Sequence, residues 1–253
     1  MGASSVKVLQ TEGLKKYFGE VRAVDHVDIE VNEGEIVSII GPNGSGKTTL
    51  LNLISNMIEP DDGKVFFYNK DVTKWAPSRL AKIGLVRSFQ VVNLFDGLSI
   101  LDNMKTAVIA KQGKTSHPFS DLIKDEVVTK RSLELLELFK LADKAQTLAS
   151  SVPHGDRKVL DVALCFALEP KLILLDEPTS GVSTSEKKPV MQRIEEAVRK
   201  GGVNAVIVEH DMDIVFGYSN RVIAMYQGKI LAEGKPEDVR ENEEVRKVIT
   251  GEQ

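Results

Sequence analysis

The sequence predicts an α/β chain whose main sheet is largely parallel and covered by helices, and three observations carry the prediction. From Lys171 onward, short apolar runs alternate with segments of helical period: "LILLD", "KPVMQRIEEAVRKGG", "NAVIVE", "RVIAMYQGKILAEG" and "KPEDVRENEEVRKVITGE". Strands that alternate with helices pair in parallel, because the helix carries the chain back across the sheet. Between Val6 and about Tyr68, the runs "AVDHVDIEV" (23–31) and "KVFFYN" (64–69) read as strands, bounded by the turn signals "NEG" (32–34) and "PDDG" (60–63). The middle of the chain, about Asp96 to Ala167, changes to helical spacing, as in "RSLELLELFKLADKA" (131–145). Within it, the polar stretch "KQGKTSHPFSD" (111–121) has the composition of a loop. No internal repeat or low-complexity segment divides the chain, so a single unit of 253 residues is expected.

Composition bounds the function. The chain is 42% hydrophobic and 28% charged, with a formal net charge of −4. That balance lacks the basic excess that captures nucleic acid, and no nucleic-acid partner is expected. Cys165 is the single cysteine, so no intrachain disulfide can form; its apolar neighbours Leu164 and Phe166 predict a buried, inert thiol. The N-terminal "MGASSVKVLQTEG" has no apolar signal-peptide core. No run reaches the ~18 apolar residues of a membrane span, because Glu169, Pro170 and Lys171 interrupt the longest candidate. A cytoplasmic chain that does not itself cross a membrane is expected.

The strongest chemical signal lies in "IIGPNGSGKTTLLNLIS", residues 39–55. Gly41, Pro42, Asn43, Gly44, Ser45, Gly46, Lys47 and Thr48 fit G-x-x-x-x-G-K-[ST] at every fixed position. The apolar run "EIVSII" before them supplies a strand, and "KTTLLNLISNM" after them supplies a helix that includes Thr49. Glycines let the backbone turn its N–H groups inward onto phosphate oxygens, and the helix N-terminus adds unpaired donors and a favourable dipole. Lys47 can reach the β and γ phosphates, and the Thr48 hydroxyl can bind Mg²⁺. A second signal is "LILLDEP" (172–178), an apolar strand that runs into paired carboxylates. Ligands bind at the C-terminal ends of parallel strands, so Asp176 is placed to hold Mg²⁺ through water and Glu177 to polarise an attacking water. The expected ligands are a nucleoside triphosphate and Mg²⁺.

These residues, with others, resemble the ATP-binding cassette ATPases over nearly the whole chain. "VRSFQ" (86–90) is similar to that family's glutamine loop, which implies that Gln90 lies near Mg²⁺ and the attacking water. "IVEHDM" (207–212) is similar to its histidine switch, which implies that His210 contacts the γ-phosphate. "KKYFGEVRAVDHVDIEV" resembles its opening strands, in which an aromatic stacks on adenine; Phe18 takes that role, with Tyr17 as the alternative. The resemblance implies a P-loop NTPase fold: a RecA-like core with an antiparallel β subdomain (about 1–94 and 166–253) and a helical insert (about 95–165). A GTPase would need a guanine-reading Asn-Lys-x-Asp, and "NKDV" (69–72) lacks that spacing.

Two departures from the family pattern stand out. The signature usually reads L-S-G-G-Q, and here Val152-Pro153-His154-Gly155-Asp156 occupies its place. Pro153 offers neither hydroxyl nor N–H to a partner's γ-phosphate, although proline suits the first turn of a helix, and His154 is the candidate substitute donor. After Glu177 the usual S-A-L-D becomes Ser180-Gly181-Val182-Ser183, without the aspartate. The His-Gly signature and the run "VRSFQVVNLFDGLSILDNM" (86–104) resemble importer ATPases for branched-chain amino acids and for urea and short amides. That branch implies a second ATPase subunit, integral permease subunits that dock on the strip from Gln90 to about Lys130, an external solute-binding protein, and a place on the cytoplasmic face of the membrane. The alternative is a soluble ATPase of the same family that clamps nucleic acid or ribosomes. Such chains usually carry two cassettes or a long coiled coil, and this one has neither.

Overall fold

Residues 6–88, 94–112 and 125–250 are described by the computed structural model, and they form two sheets and a helical layer. The first sheet is antiparallel. Strand β1 (Lys7–Phe18) is its centre, flanked by β2 (Val21–Val27) and β5 (Asp62–Phe67), with β3 (Glu30–Asn32) also on β1 and β6 (Lys70–Asp71) beyond β5. The run at 23–31, expected as one strand, is two. After Val27 the chain leaves the β1 partners Leu14 to Phe18 and returns against Lys7, Leu9 and Gln10. His26 adopts a left-handed φ of 56° at the break, the Asp28 carboxylate accepts from Gly13 N–H, and Thr11 Oγ1 accepts from Ile29 N–H at 2.9 Å. Those bonds satisfy the backbone that the ladder abandons.

The second sheet runs in the order β11–β10–β4–β9–β8–β7, with β4 (Ile36–Ile40), β7 (Leu85–Arg87), β8 (Leu172–Asp176), β9 (Asn204–Val208), β10 (Arg221–Tyr226) and β11 (Lys229–Gly234). All its pairs are parallel except the β10–β11 hairpin. Every residue of β4, β8 and β9 is buried, as strands covered on both faces must be. Alternate side chains divide between two cores. Val37, Ile39, Leu172, Leu174, Val206 and Val208 pack with helix α1 (Lys47–Ile54) and the antiparallel sheet. Ile36, Ile173, Leu175, Ala205 and Ile207 pack with the helices on the other face.

Between β7 and β8 the chain makes the helical layer, and α2 (Pro77–Ile83) precedes β7. Helices α3 (Ile100–Gln112), α4 (Glu126–Leu138) and α5 (His154–Phe166) pack on one another, and the Asp125 carboxylate caps α4 through Val127 N–H at 2.8 Å. Helix α6 (Thr184–Lys200) begins earlier than the periodicity at 188–202 suggests: Ser183 is its N-cap residue, with Oγ donating to Glu186 Oε2, and the helix starts before Pro189 and contains it. Helices α7 (Met212–Tyr218), α8 (Pro236–Glu241) and α9 (Glu243–Thr250) cover the β10 end of the sheet. Among the described residues no helix is long and apolar enough to cross a membrane.

Cys165 on α5 is half-buried rather than buried, because the core side of that helix is Val159, Val162, Ala163 and Phe166. Desolvation, with a smaller contribution from the nearby Asp161 carboxyl, still pushes the thiol above its ordinary range. One turn earlier, burial pushes the Asp161 carboxyl up to about 6, against a smaller opposing pull from Lys158. A raised carboxyl favours the protonated form in the folded chain. Its ionisation therefore costs stability, and the cost grows from the ordinary value of 3.8 until the pH passes about 6. Removing the charge with Asp161→Asn is expected to raise stability at pH 8 by about 1–2 kcal/mol after partial solvent screening, a Tm gain of roughly 2–8 °C. Thermal melts at pH 8 and below pH 4 check this: an equal gain at both pH values refutes the burial account of Asp161.

Candidate functional site

Strand β4 ends at Ile40, and the chain from Gly41 to Gly46 wraps over the C-terminal edge of the parallel sheet before α1 starts at Lys47. Two positions there require glycine. A Cβ at Gly41 (φ 149°) would lie 2.2 Å from Met225 O, and one at Gly46 (φ 105°) would lie 2.1 Å from Ala23 O. The loop is tied to the β10–β11 turn by Gly228 N–H on Ser45 O at 3.0 Å, and closed on itself by Ser45 N–H on Pro42 O at 3.2 Å. Asn43 and Gly44 form its exposed tip. Among the described residues no side chain caps α1, which leaves its first-turn N–H groups available. Thr48 is exposed and Thr49 half-buried in that turn.

Lys47 is only 5% exposed, and its Nζ curls back to donate to Gly41 O at 2.8 Å and Pro42 O at 3.0 Å. Burial pushes its ammonium down, while the carboxylates of Glu177 and Asp176 pull it back up. The cation and the two carboxylates therefore share one site, at the ends of β4 and β8.

Asp176, the last residue of β8, accepts at Oδ2 from Arg87 Nη2 at 2.9 Å, and its buried Oδ1 has no hydrogen-bond partner among the described residues. A buried carboxylate oxygen left unpaired is costly. A hard cation or its bound water satisfies such an oxygen, so the site fits Mg²⁺. Glu177 follows with a left-handed φ of 51°, and its N–H donates to Val208 O at 2.9 Å. A non-glycine residue in that region is strained, as catalytic loops often are. Its Oε1 lies 2.8 Å from His210 Nε2, the residue two beyond the end of β9. Glu209, between them, is buried; it accepts from Thr179 N–H at 2.9 Å, Thr179 Oγ1 at 2.7 Å and His210 N–H at 3.2 Å. The loops after β8 and β9 are thus locked together.

The signature-like segment starts α5. Pro153 is the residue before the first turn (φ −54°, ψ 152°), not within the turn as the sequence suggested, and it caps nothing with its side chain. His154 is exposed, and its ring lies over Gly181 of the same chain: a Cβ there would sit 3.0 Å from Nε2. Gly155 allows close packing on α6, where a Cβ would meet Val190 Cγ2 at 3.0 Å. Asp156 is buried between Arg193 Nη1 and Lys144 Nζ, both at 2.6 Å. Lys158 Nζ donates to Ser180 Oγ at 3.0 Å. The helix start and the loop after Glu177 are therefore in direct contact.

Phe18 is 54% exposed at the β1–β2 hairpin rather than packed in the core, with Lys16 Nζ 5.8 Å from its ring centroid. The Tyr17 hydroxyl is committed to Asp25 at 2.7 Å. Gln90 lies outside the described residues. Arg87, Asn52, Glu209 and Lys158 went unassigned in the sequence. Only Glu209 carried a local signal, as an acidic residue just past an apolar strand like Asp176.

Residues 24–180 match the family described as ABC transporter. A protein of Archaeoglobus fulgidus named as a probable branched-chain amino acid transport ATP-binding protein, LivG, is 36% identical over 98% of this chain and 97% of its own length. An ATP-binding cassette of an ABC transporter, solved in its ADP conformation, superposes with a TM-score of 0.84 at 30% identity, covering 97% of this chain and 99% of that one. A dimeric cassette in a post-hydrolysis state with ADP and Pi bound gives a TM-score of 0.73 at 28% identity over 90% and 98% of the two chains. With a phosphate loop facing a carboxylate pair on a RecA-like sheet, and with similarity along nearly its full length, the chain belongs to the ABC transporter family as one of its ATP-binding, ATP-hydrolysing cassettes.

Proposed function

We propose that this chain powers an importer for branched-chain amino acids, as one of two ATPase subunits that close around two ATP molecules beneath a pair of permeases. The convergence of Lys47, Asp176, Glu177 and His210 at the C-terminal edge of one sheet carries the nucleotide part. The name of the Archaeoglobus fulgidus relative supports the solute class. In this reading Phe18 stacks on adenine, the backbone of residues 41–49 cradles the phosphates, and Lys47 moves its ammonium from Gly41 O and Pro42 O onto the β and γ phosphates. Thr48, Asp176 and Gln90 would hold Mg²⁺, which when bound neutralises charge on the phosphates. Glu177 polarises the attacking water. His210 must leave Glu177 before its Nε2 can reach a γ-phosphate oxygen, so ATP exchanges one partner of His210 for another and frees the base.

The opposite subunit would offer Pro153, His154 and Gly155 at the uncapped start of α5, with a solute-binding protein delivering the amino acid outside and the cassette seated on the cytoplasmic face. Docking on the strip from Gln90 to Lys130 falls partly outside the described residues, as do Lys114 and Asp121. Lys111 is already held, its Nζ on Leu168 O at 2.9 Å. Co-reconstitution with the permeases into vesicles tests the solute reading: ATP-dependent uptake of labelled leucine is expected. Turnover stimulated by DNA or ribosomes, without uptake, would favour the soluble clamp instead.

The signature start supplies its own test. Pro153→Ser places a hydroxyl at the N-cap of α5, where one charge-assisted hydrogen bond to phosphate is worth roughly 1.5–3 kcal/mol. Dimerisation on ATP in a Glu177→Gln background should tighten about tenfold to a hundredfold. His154→Ala should weaken it if the ring leaves Gly181 for phosphate. Unchanged dimer affinity in both would show that α5 contacts phosphate by backbone alone.

A further inference from the structure

We propose that Arg87 is a positioning residue for the metal-binding carboxylate, holding Asp176 by Oδ2 and the phosphate-loop helix by Asn52 and Ser55, so that Oδ1 alone is left for the metal's shell. The proposal rests on the metal role of Asp176 given above and extends it to a residue with no role in that reading. Arg87 ends β7, the edge strand of the parallel sheet, where it pairs in register with Leu174 of β8. Its guanidinium reaches three groups at once. Nη2 donates to Asp176 Oδ2 at 2.9 Å, and Nη1 donates to Asn52 Oδ1 at 2.6 Å and Ser55 Oγ at 3.1 Å. Asn52 lies on α1, whose first residues are Lys47 and Thr48, and Ser55 is the C-cap of the same helix. The side chains of Arg87 and Asp176 are 13% and 0% exposed, so little water competes for the contact.

The chemistry follows from geometry. A carboxylate with both oxygens free can rotate about its last torsion; one pinned by Oδ2 presents Oδ1 in a single direction. The other hand of the same guanidinium grips α1, so the distance between Thr48 and Asp176, two of the three candidate metal ligands, is set by one rigid planar group. Lysine cannot do this: its point charge can pair with Asp176 or with Asn52, but it lacks the fork that spans both. A structural ion pair would also be buried, but it would have no reason to leave the other carboxylate oxygen unpaired. The next residue, Ser88, is still held to the sheet by its N–H on Leu174 O at 3.0 Å, so Arg87 stands at the root of the segment that leads to Gln90.

The test measures ATP affinity with and without Mg²⁺ in full-length protein carrying Glu177→Gln, and Mn²⁺ binding to its ATP complex by electron paramagnetic resonance. Adding Arg87→Lys is expected to leave metal-free ATP affinity within about twofold. The affinity gain from Mg²⁺ should fall about tenfold, and half-saturation by Mn²⁺ should rise by a similar factor. Asn52→Leu, which removes one anchor and spares the Asp176 pair, should shift the same ratio by about threefold. Equal losses with and without metal, or an unchanged ratio in either variant, would overturn the proposal and leave Arg87 a structural ion pair. If Arg87→Lys fails to fold, the Asn52→Leu ratio decides alone. A Glu177→Gln parent that binds ATP but gains nothing from Mg²⁺ would defeat the metal role of Asp176 and this proposal together. A parent that binds no ATP in either medium would instead defeat the nucleotide reading.

Discussion

Lys47→Ala is expected to lower ATP turnover by about two to three orders of magnitude while the fold survives. Removing one pre-positioned charge-stabilising donor from an active site typically costs that much, because nothing else replaces it where transition-state charge develops. Lys47 is a strong case, since its ammonium is buried and already faces the Asp176 and Glu177 carboxylates. Its present partners are the carbonyls of Gly41 and Pro42 and, at 3.5 Å, the Ser45 hydroxyl, neutral acceptors that charged nucleotide phosphates would displace. The fold should tolerate the change: alanine is a good first residue for α1, and removing a desolvated cation offsets the lost bonds. Phosphate release and a thermal melt, measured on the same preparation, check both halves. Turnover at the wild-type rate would refute the nucleotide reading of residues 41–48.

Glu177→Gln is expected to separate binding from chemistry. A positioned general base contributes typically a factor of 10²–10⁴, and the amide keeps the size and hydrogen-bonding reach of the carboxylate without its basicity. His210 retains an acceptor at the Oε1 position, 2.8 Å away in the native chain, so the loops after β8 and β9 should stay in register. The left-handed backbone at residue 177 is no worse for Gln than for Glu. ATP should therefore remain bound, and the ATP-loaded protein should elute as a dimer in gel filtration. Normal turnover by this variant would move the catalytic role elsewhere.

The legible parts of this molecule are those whose causes lie close together in the chain. The phosphate loop could be read because its closing bonds, from Lys47 to Gly41 and Pro42, span six and five residues. The parallel strands could be read because both their faces are buried, which leaves runs such as "LILLD" and "NAVIV" with almost no polar interruption. The edge-strand partner of Asp176 could not: Arg87 is 89 residues away, in a stretch that resembled a glutamine loop and drew attention to Gln90 instead. The same holds for Lys158 on Ser180, 22 residues apart, and for Glu209 on Thr179, 30 apart.

By itself, then, the sequence determined the α/β class, the phosphate loop, the acidic strand end and the family resemblance, since periodicity, turn chemistry and motif spacing are local properties. Only the tertiary structure decided that residues 23–31 form two strands, because Asp28 and Ile29 are claimed by Gly13 and Thr11 of β1. It alone showed Phe18 exposed at the β1–β2 hairpin and the Tyr17 hydroxyl held by Asp25, put Pro153 before the first turn of α5, and laid His154 over Gly181. Each of these depends on which strand ends become neighbours. That is set by the sheet order β10–β4–β9–β8–β7, and hydrophobic period carries no record of order.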